Sequence, residues 1–237
     1  MSFVERLDRS FYPQCSRNWD DELFRKRILS RINASSVVLD LGAGAGIVKA
    51  MDFKGNVARI CGVDLDPRVV DNPMLDEGKL GDGTVIPYPD SHFDVVFADN
   101  VVEHLDDPVA VFSEVRRVLK PGGRFLFKTP NRLHYMPLIA QVTPHWFHQF
   151  FNRRRGRLET DTFPTRYRAN TPGDVARVAS KAELVVDQVD TFESRPEYLR
   201  ISTPTYLVGI AYERIVNASS ALAPFRILLV AELRRTA

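Results

Sequence analysis

VLDLGAGAGI, Val38 to Ile47, runs an apolar strand into an acid and then into three alternating glycines. In an open α/β sheet, ligands bind beyond the carboxyl ends of the strands, and this stretch reads as such an end. Gly42, Gly44 and Gly46 let the chain turn tightly and bring its backbone close to a ligand, where a Cβ would obstruct it. A dinucleotide fingerprint needs its third glycine at position 47, and this chain has Ile47 there. Asp40, on the strand before the turn, repels a pyrophosphate and attracts an ammonium or a sulfonium. The turn therefore expects positive charge.

Working outward, short apolar runs recur: RICGVDL, FDVVFAD, RFLFKT and ELVVDQV, each rich in β-branched or aromatic residues and too brief for helices. A further apolar run, FRILLVAELRR, is expected to add an edge strand. Between these lie helical patterns. Asp20 to Ile32 carries Leu23, Phe24, Ile28, Leu29 and Ile32 at helical spacing, with its acids first. DDPVAVFSEVRRVLKPGG carries a stripe of Val109, Phe112, Val115, Val118 and Leu119, stopped by Pro121 and a glycine pair. Strand and helix alternate, which predicts βαβ crossovers and a mostly parallel sheet covered on both faces.

Asp64 ends the second run about 20 residues past the glycines, where an acid can accept hydrogen bonds from both hydroxyls of a ribose. It can also serve only the turn before Asp66-Pro67. Asp82 follows a third, weaker strand and can face an adenine amino group or merely build a Gly-Asp-Gly turn. VLDLGAGAGI, GVDLDP, GDGTVIPYPDSHFDVVFADNVVEHL and RVLKPGGRFLFKTPN, in this order, resemble the successive motifs of S-adenosylmethionine-dependent methyltransferases of the Rossmann-like class I family, with a type-11-like domain.

The resemblance implies a Rossmann-like three-layer α/β sandwich, with a mostly parallel seven-stranded sheet whose last strand is antiparallel. It implies one methyltransferase domain over 1–237, with a core over 34–131, an acceptor-side insertion over 130–170 and completion of the sheet over 171–237. The implied cofactor is S-adenosyl-L-methionine. Its methionine end falls to Asp40 and the glycine turn, its ribose to Asp64, and its adenine to the Asp82–Gly83 segment. The expected cofactor-binding set is Asp40, Gly42, Ala43, Gly44, Gly46, Asp64, Leu65, Asp82, Gly83, Asp99 and Asn100. Asp99 and Asn100 also suit simple loop capping.

Methyl transfer from a sulfonium asks the protein to align the acceptor, exclude water and, for a hydroxyl, remove a proton. His104, His134 and His145 are the candidate bases, since histidine titrates near neutral pH. A hydrogen-bonding role in a loop suits each of them as well. Residues 130–170 interleave Tyr135, Trp146, Phe147, Phe150 and Phe151 with an arginine run from Arg153 to Arg157. That pattern suits an anionic or aromatic small-molecule acceptor, and it leaves peripheral membrane contact open. The apolar segment Tyr206–Val216 can close a pocket, touch lipid or pair two subunits as a homodimer.

A formal net charge of +2 is too balanced to predict nucleic-acid binding. Cys15 and Cys61 have no metal-ligand spacing, so no metal is expected. No apolar run reaches the ~18 residues of a membrane span, and the N-terminus has no signal-like core, so a cytoplasmic protein is expected. The reading is a methyltransferase acting on a small molecule at oxygen or sulfur. A catalytically silent S-adenosylmethionine-binding partner subunit and a nicotinamide-dependent oxidoreductase are the alternatives, the latter opposed by the glycine register and Asp40.

Overall fold

The computed structural model describes residues 3–13, 15–16, 18–142 and 164–236. In chain order its elements are α1 (Phe3–Phe11), α2 (Trp19–Leu29), β1 (Val37–Leu41), β2 (Arg59–Asp64), β3 (Glu77–Leu80), β4 (Phe93–Asp99) and α3 (Pro108–Val118). They continue with β5 (Leu119–Pro130), α4 (Tyr135–Val142), α5 (Pro172–Lys181), β6 (Leu184–Phe192), α6 (Thr203–Asn217) and β7 (Leu228–Arg235). The chain divides into two compact units, one of Asn18–Thr129, Arg166–Asp190 and Leu229–Ala237, the other of Met1–Arg17, Pro130–Thr165 and Thr191–Leu228.

The first unit is built on a seven-stranded sheet of order β3-β2-β1-β4-β5-β7-β6, parallel from β3 to β5 and completed by antiparallel pairing at the end. Val38 to Leu41 of β1 are all buried, because β1 is flanked by β2 and β4 and covered on both faces. Its register sets Asp40 opposite Gly62 on one side and Phe97 on the other. One core layer joins Leu39, Cys61 and Val96 to Phe112 of α3, whose ring meets Phe125 edge-on at 5.1 Å. α3 starts at Pro108 because Asp107 Oδ1 accepts the Val109 and Ala110 N–H groups, leaving proline where no donor is needed. Reversal of the sheet between β1 and β4 leaves a crevice at the carboxyl ends of these strands.

Two expectations are corrected. β7 is not an edge strand: it lies between β5 and β6, and Leu228 to Leu233 are buried without a break, the pattern of an inner strand covered on both faces. Glu232 within it is 1% exposed and is held by Arg31 and Arg124, which explains how an acid survives there. Nor does the Pro121-Gly122-Gly123 segment merely stop a helix. Leu119 already belongs to β5, and the register slips from Phe93 opposite Leu119 to Val95 opposite Arg124. Gly122, at φ +79°, takes the left-handed turn that this slip requires.

The second unit contains α1, α4 and α6. Ser202 and Thr205 form a reciprocal capping box at the start of α6. Asp8 of α1 accepts from Tyr206 and Arg200, while the Tyr12 hydroxyl donates to Glu213 at 2.9 Å, so α1 is fastened to α6 by polar contacts. Among the described residues no helix is long and apolar enough to cross a membrane.

Candidate active site

The glycine turn follows β1 directly. Gly42, Gly44 and Gly46 have φ of +86°, +51° and +72°, a region costly to any residue with a Cβ. A Cβ on Gly42 would stand 2.2 Å from Val101 Cγ2, and one on Gly46 would stand 2.3 Å from Asn72 Oδ1. At Gly44 the nearest atom would be Asp64 Oδ2 at 3.9 Å, so this glycine faces open space that its backbone can lend to a ligand. Asn72 Nδ2 donates to the carbonyls of Ala43 and Gly44, each at 3.1 Å, and fixes the turn. Asn72 was not singled out in the sequence, where Asn72-Pro73 reads as an ordinary turn.

Asp64 ends β2 beside this turn. Its Oδ2 accepts from Gly44 N at 2.7 Å and its Oδ1 from Asp66 N at 2.8 Å. Each oxygen keeps a further lone pair, and the side chain is half-buried at the crevice. Leu65, next in line, is 60% exposed. Asp82 Oδ1 accepts from Thr84 N, Thr84 Oγ1 and Val85 N, which builds the turn and holds its carboxyl below the usual range. Gly83, at φ +77°, is buried against Leu41 and Val111.

Asp40 is 6% exposed, and among the described residues nothing donates a hydrogen bond to its side chain. Burial pushes its pKa well above the usual carboxylate value, and the negative charges of Asp99 and Asp64 push it further. Asp99, at the end of β4, is raised to about 6, chiefly by burial, against the opposing pull of Lys128 Nζ at 3.2 Å. Asn100, at φ +54°, donates its N–H to the Lys128 carbonyl at 3.0 Å and its Nδ2 to Asp99 Oδ1 at 2.8 Å. β1, β2 and β4 thus bring Asp40, Asp64 and Asp99 to one end of the sheet.

Of the candidate bases, His104 lies on a short 3-10 turn just after β4, half-buried, with Nε2 3.9 Å from Glu103 Oε1. Glu103 is buried and its Oε2 accepts from Thr129 at 2.8 Å, so the acid beside His104 is fixed. His134 is 1% exposed in the second unit. Its Nδ1 accepts from Met136 N at 3.2 Å at the start of α4, and its Nε2 faces Glu193 at 3.4 Å. This is the placement of a helix cap. His145 and the stretch Trp146 to Arg157 lie outside the described residues. Among the described residues no cluster of His, Cys, Asp or Glu could hold a metal.

Residues 39–127, which contain the glycine turn, Asp64 and His104, match the family model described as a methyltransferase domain. That region is a methyltransferase domain of the S-adenosylmethionine-dependent kind. A "Probable S-adenosylmethionine-dependent methyltransferase" of Mycolicibacterium smegmatis is 38% identical over 124 residues, which span 49% of this chain and 46% of that relative. A ubiquinone biosynthesis O-methyltransferase of Thiobacillus denitrificans is 27% identical over 218 residues, covering 83% of this chain and 90% of that enzyme. The fold is shared with geranyl diphosphate C-methyltransferase of Streptomyces coelicolor in complex with Mg2+, geranyl diphosphate and S-adenosyl-L-homocysteine. That match has a TM-score of 0.56, 16% identity and coverage of 92% of this chain and 79% of that one.

S-adenosylmethionine is the cofactor of the methyltransferase domain. The residues present fit it: a buried carboxylate with no donor awaits a cation, and a glycine backbone opens beside it. One strand away, an acid retains acceptor capacity for a diol.

Proposed function

We propose that the chain transfers a methyl group from S-adenosylmethionine to a small-molecule acceptor at oxygen or sulfur. The observation that carries the reading is Asp40, a buried acid without a donor at the mouth of the glycine turn. An uncompensated carboxylate there is costly to the free protein, and a bound ammonium relieves that cost. When bound, the cofactor supplies a methyl group on a sulfonium, open to in-line displacement.

The chain's own residues divide the remaining work. Asp40 accepts from the cofactor's ammonium, with Gly44 leaving room for it. Asp64 accepts from the ribose hydroxyls while the Gly44 and Asp66 N–H groups hold the carboxylate in place. Leu65 offers apolar surface to the adenine, whose amino edge meets the Asp82–Gly83 turn. His104 takes the acceptor's proton, and Glu103, itself fixed by Thr129, stabilises the positive charge that proton uptake creates. Oxygen is favoured as the methylated atom by the similarity to the ubiquinone biosynthesis O-methyltransferase over most of both chains. The acceptor-side role of 130–170 belongs to the same proposal.

The test is an acceptor screen over phenols, catechols, carboxylic acids and thiols, read as S-adenosylhomocysteine release. Stoichiometric methylated product is expected from one hydroxyl or thiol class. Tight cofactor binding with no turnover across the screen would favour a silent partner subunit instead.

A further inference from the structure

β5 carries one charged side chain into the core. Lys128 is 0% exposed in the otherwise apolar run of Phe125, Leu126 and Phe127. Burying an ammonium costs several kcal/mol unless it is paired, and a single carboxylate would suffice. Lys128 has three. Nζ lies 3.0 Å from Asp20 Oδ2 and 3.2 Å from Asp99 Oδ1, and it also contacts Asp21 Oδ1. Asp20 and Asp21 open α2, where acids also complement the helix N-terminus. Asp99 ends β4, and its charge acts on Asp40, which has no donor of its own. With all three acids ionised, three carboxylates against one ammonium leave this cluster two negative charges in excess.

We propose that Lys128 is a positioning residue for the cofactor: it bridges the start of α2 to the end of β4 and fixes the charge that Asp99 presents beside Asp40. The inference rests on the cofactor reading above and adds a residue that touches no substrate. A purely structural cation would only neutralise its neighbours. Lys128 instead keeps Asp99 ionised in a buried position, so that the methionine end of the site remains negative and matches a cationic ligand. The groups that face Asp99 are Lys128 on β5, Asp20 and Asp21 on α2, and Asp40 on β1. Lys128 draws Asp99 towards the charged form, and Asp20 and Asp21 oppose it.

The experiment is calorimetric titration of the full chain with S-adenosylmethionine from about pH 5 to pH 8, where such acids exchange protons. Circular dichroism would establish the fold of each variant. In the wild type, affinity is expected to fall as pH drops through the range in which Asp99 takes up a proton. Lys128→Met should weaken binding near neutral pH by about tenfold or more and move that midpoint upward. Lys128→Arg should restore it. Asp21→Asn, which removes a carboxylate that opposes ionisation of Asp99, should move the midpoint downward. Opposite shifts in the two variants support the proposal. Folded variants with the wild-type midpoint overturn it, as do shifts in the same direction, and Asp21→Asn decides alone if Lys128→Met fails to fold. A wild-type chain that does not bind S-adenosylmethionine overturns the cofactor reading itself, which is a different result from binding with unmoved midpoints.

Discussion

Replacing Asp40 by Asn should separate binding from stability in opposite directions. The side chain is 6% exposed and without a donor among the described residues. In the free protein its carboxylate is opposed by burial and by Asp99 and Asp64. Two unit charges at 4 Å interact by about 4 kcal/mol at an effective dielectric constant of about 20, and desolvation takes back part of this. A hydrogen bond to a charged group nets about 1.5–3 kcal/mol, so Asp40→Asn should weaken S-adenosylmethionine binding by roughly 10- to 150-fold.

Because the folded-state pKa is raised, Asp40 penalises the free protein once pH rises above the ordinary carboxylate range of about 3.9, and the penalty grows until the folded-state value is passed. The unliganded variant should therefore melt higher than the wild type, by about 2–4 °C for each kcal/mol recovered. The gap should widen with pH. Binding to the wild type should also expel a proton, seen as a dependence of the calorimetric heat on the buffer's ionisation enthalpy, and this release should shrink in Asp40→Asn. An unchanged Kd, or a variant that melts lower at neutral pH, would refute the assignment of Asp40 as an unpaired acid awaiting a cation.

Asp64→Ala should cost about 1.5–3 kcal/mol of S-adenosylmethionine affinity by calorimetry, in a protein whose fold is intact by circular dichroism. If the acceptor is a hydroxyl, His104→Ala should lower kcat by roughly 10²–10⁴-fold with cofactor affinity unchanged; near-native turnover would leave alignment as the mechanism. Glu232→Ala would remove the buried acid that Arg31 and Arg124 share, while Arg124 keeps Asp187 and both arginines still reach solvent, so it should destabilise the protein by about 1–3 kcal/mol in urea unfolding, without a comparable change in the affinity of the remaining folded protein. Removing Trp146 to Arg157 should leave cofactor affinity within about tenfold while abolishing acceptor turnover.

The strands around the crevice were legible because parallel strands buried on both faces are near-continuously apolar, as Val95–Ala98 is and as Val38–Leu41 is apart from Asp40. β3, with Glu77, Gly78, Lys79 and Leu80, is a half-exposed edge and carries little such signal. The place of β7 was not legible, since its apolar run does not say which neighbours pair with it. Asp40 was readable as an acid set before a glycine turn. Lys128 left a trace, a lysine inside an apolar strand, but its partners Asp20 and Asp21 stand more than 100 residues earlier, and only the fold brings them together. Asn72 left none, because an asparagine before a proline serves any turn. His134 reads as a base by residue type alone, and its local packing at the start of α4 engages Nδ1 in the helix while Nε2 lies 3.4 Å from Glu193 without a hydrogen bond among the described residues.

The slot that β7 fills has a consequence for synthesis. β5 and β6 leave the ribosome before β7, yet neither neighbours the other in the finished sheet. Until residues 228–235 arrive, β5 and β6 each lack the neighbour that completes their pairing, and unpaired strand edges are templates for association with other chains. The strands that end at the crevice, β1 to β4, need nothing from that strand for their own pairing. A nascent chain stalled before Leu228 is therefore expected to hold its glycine turn while remaining aggregation-prone at β5, and a chaperone would be expected to engage it there.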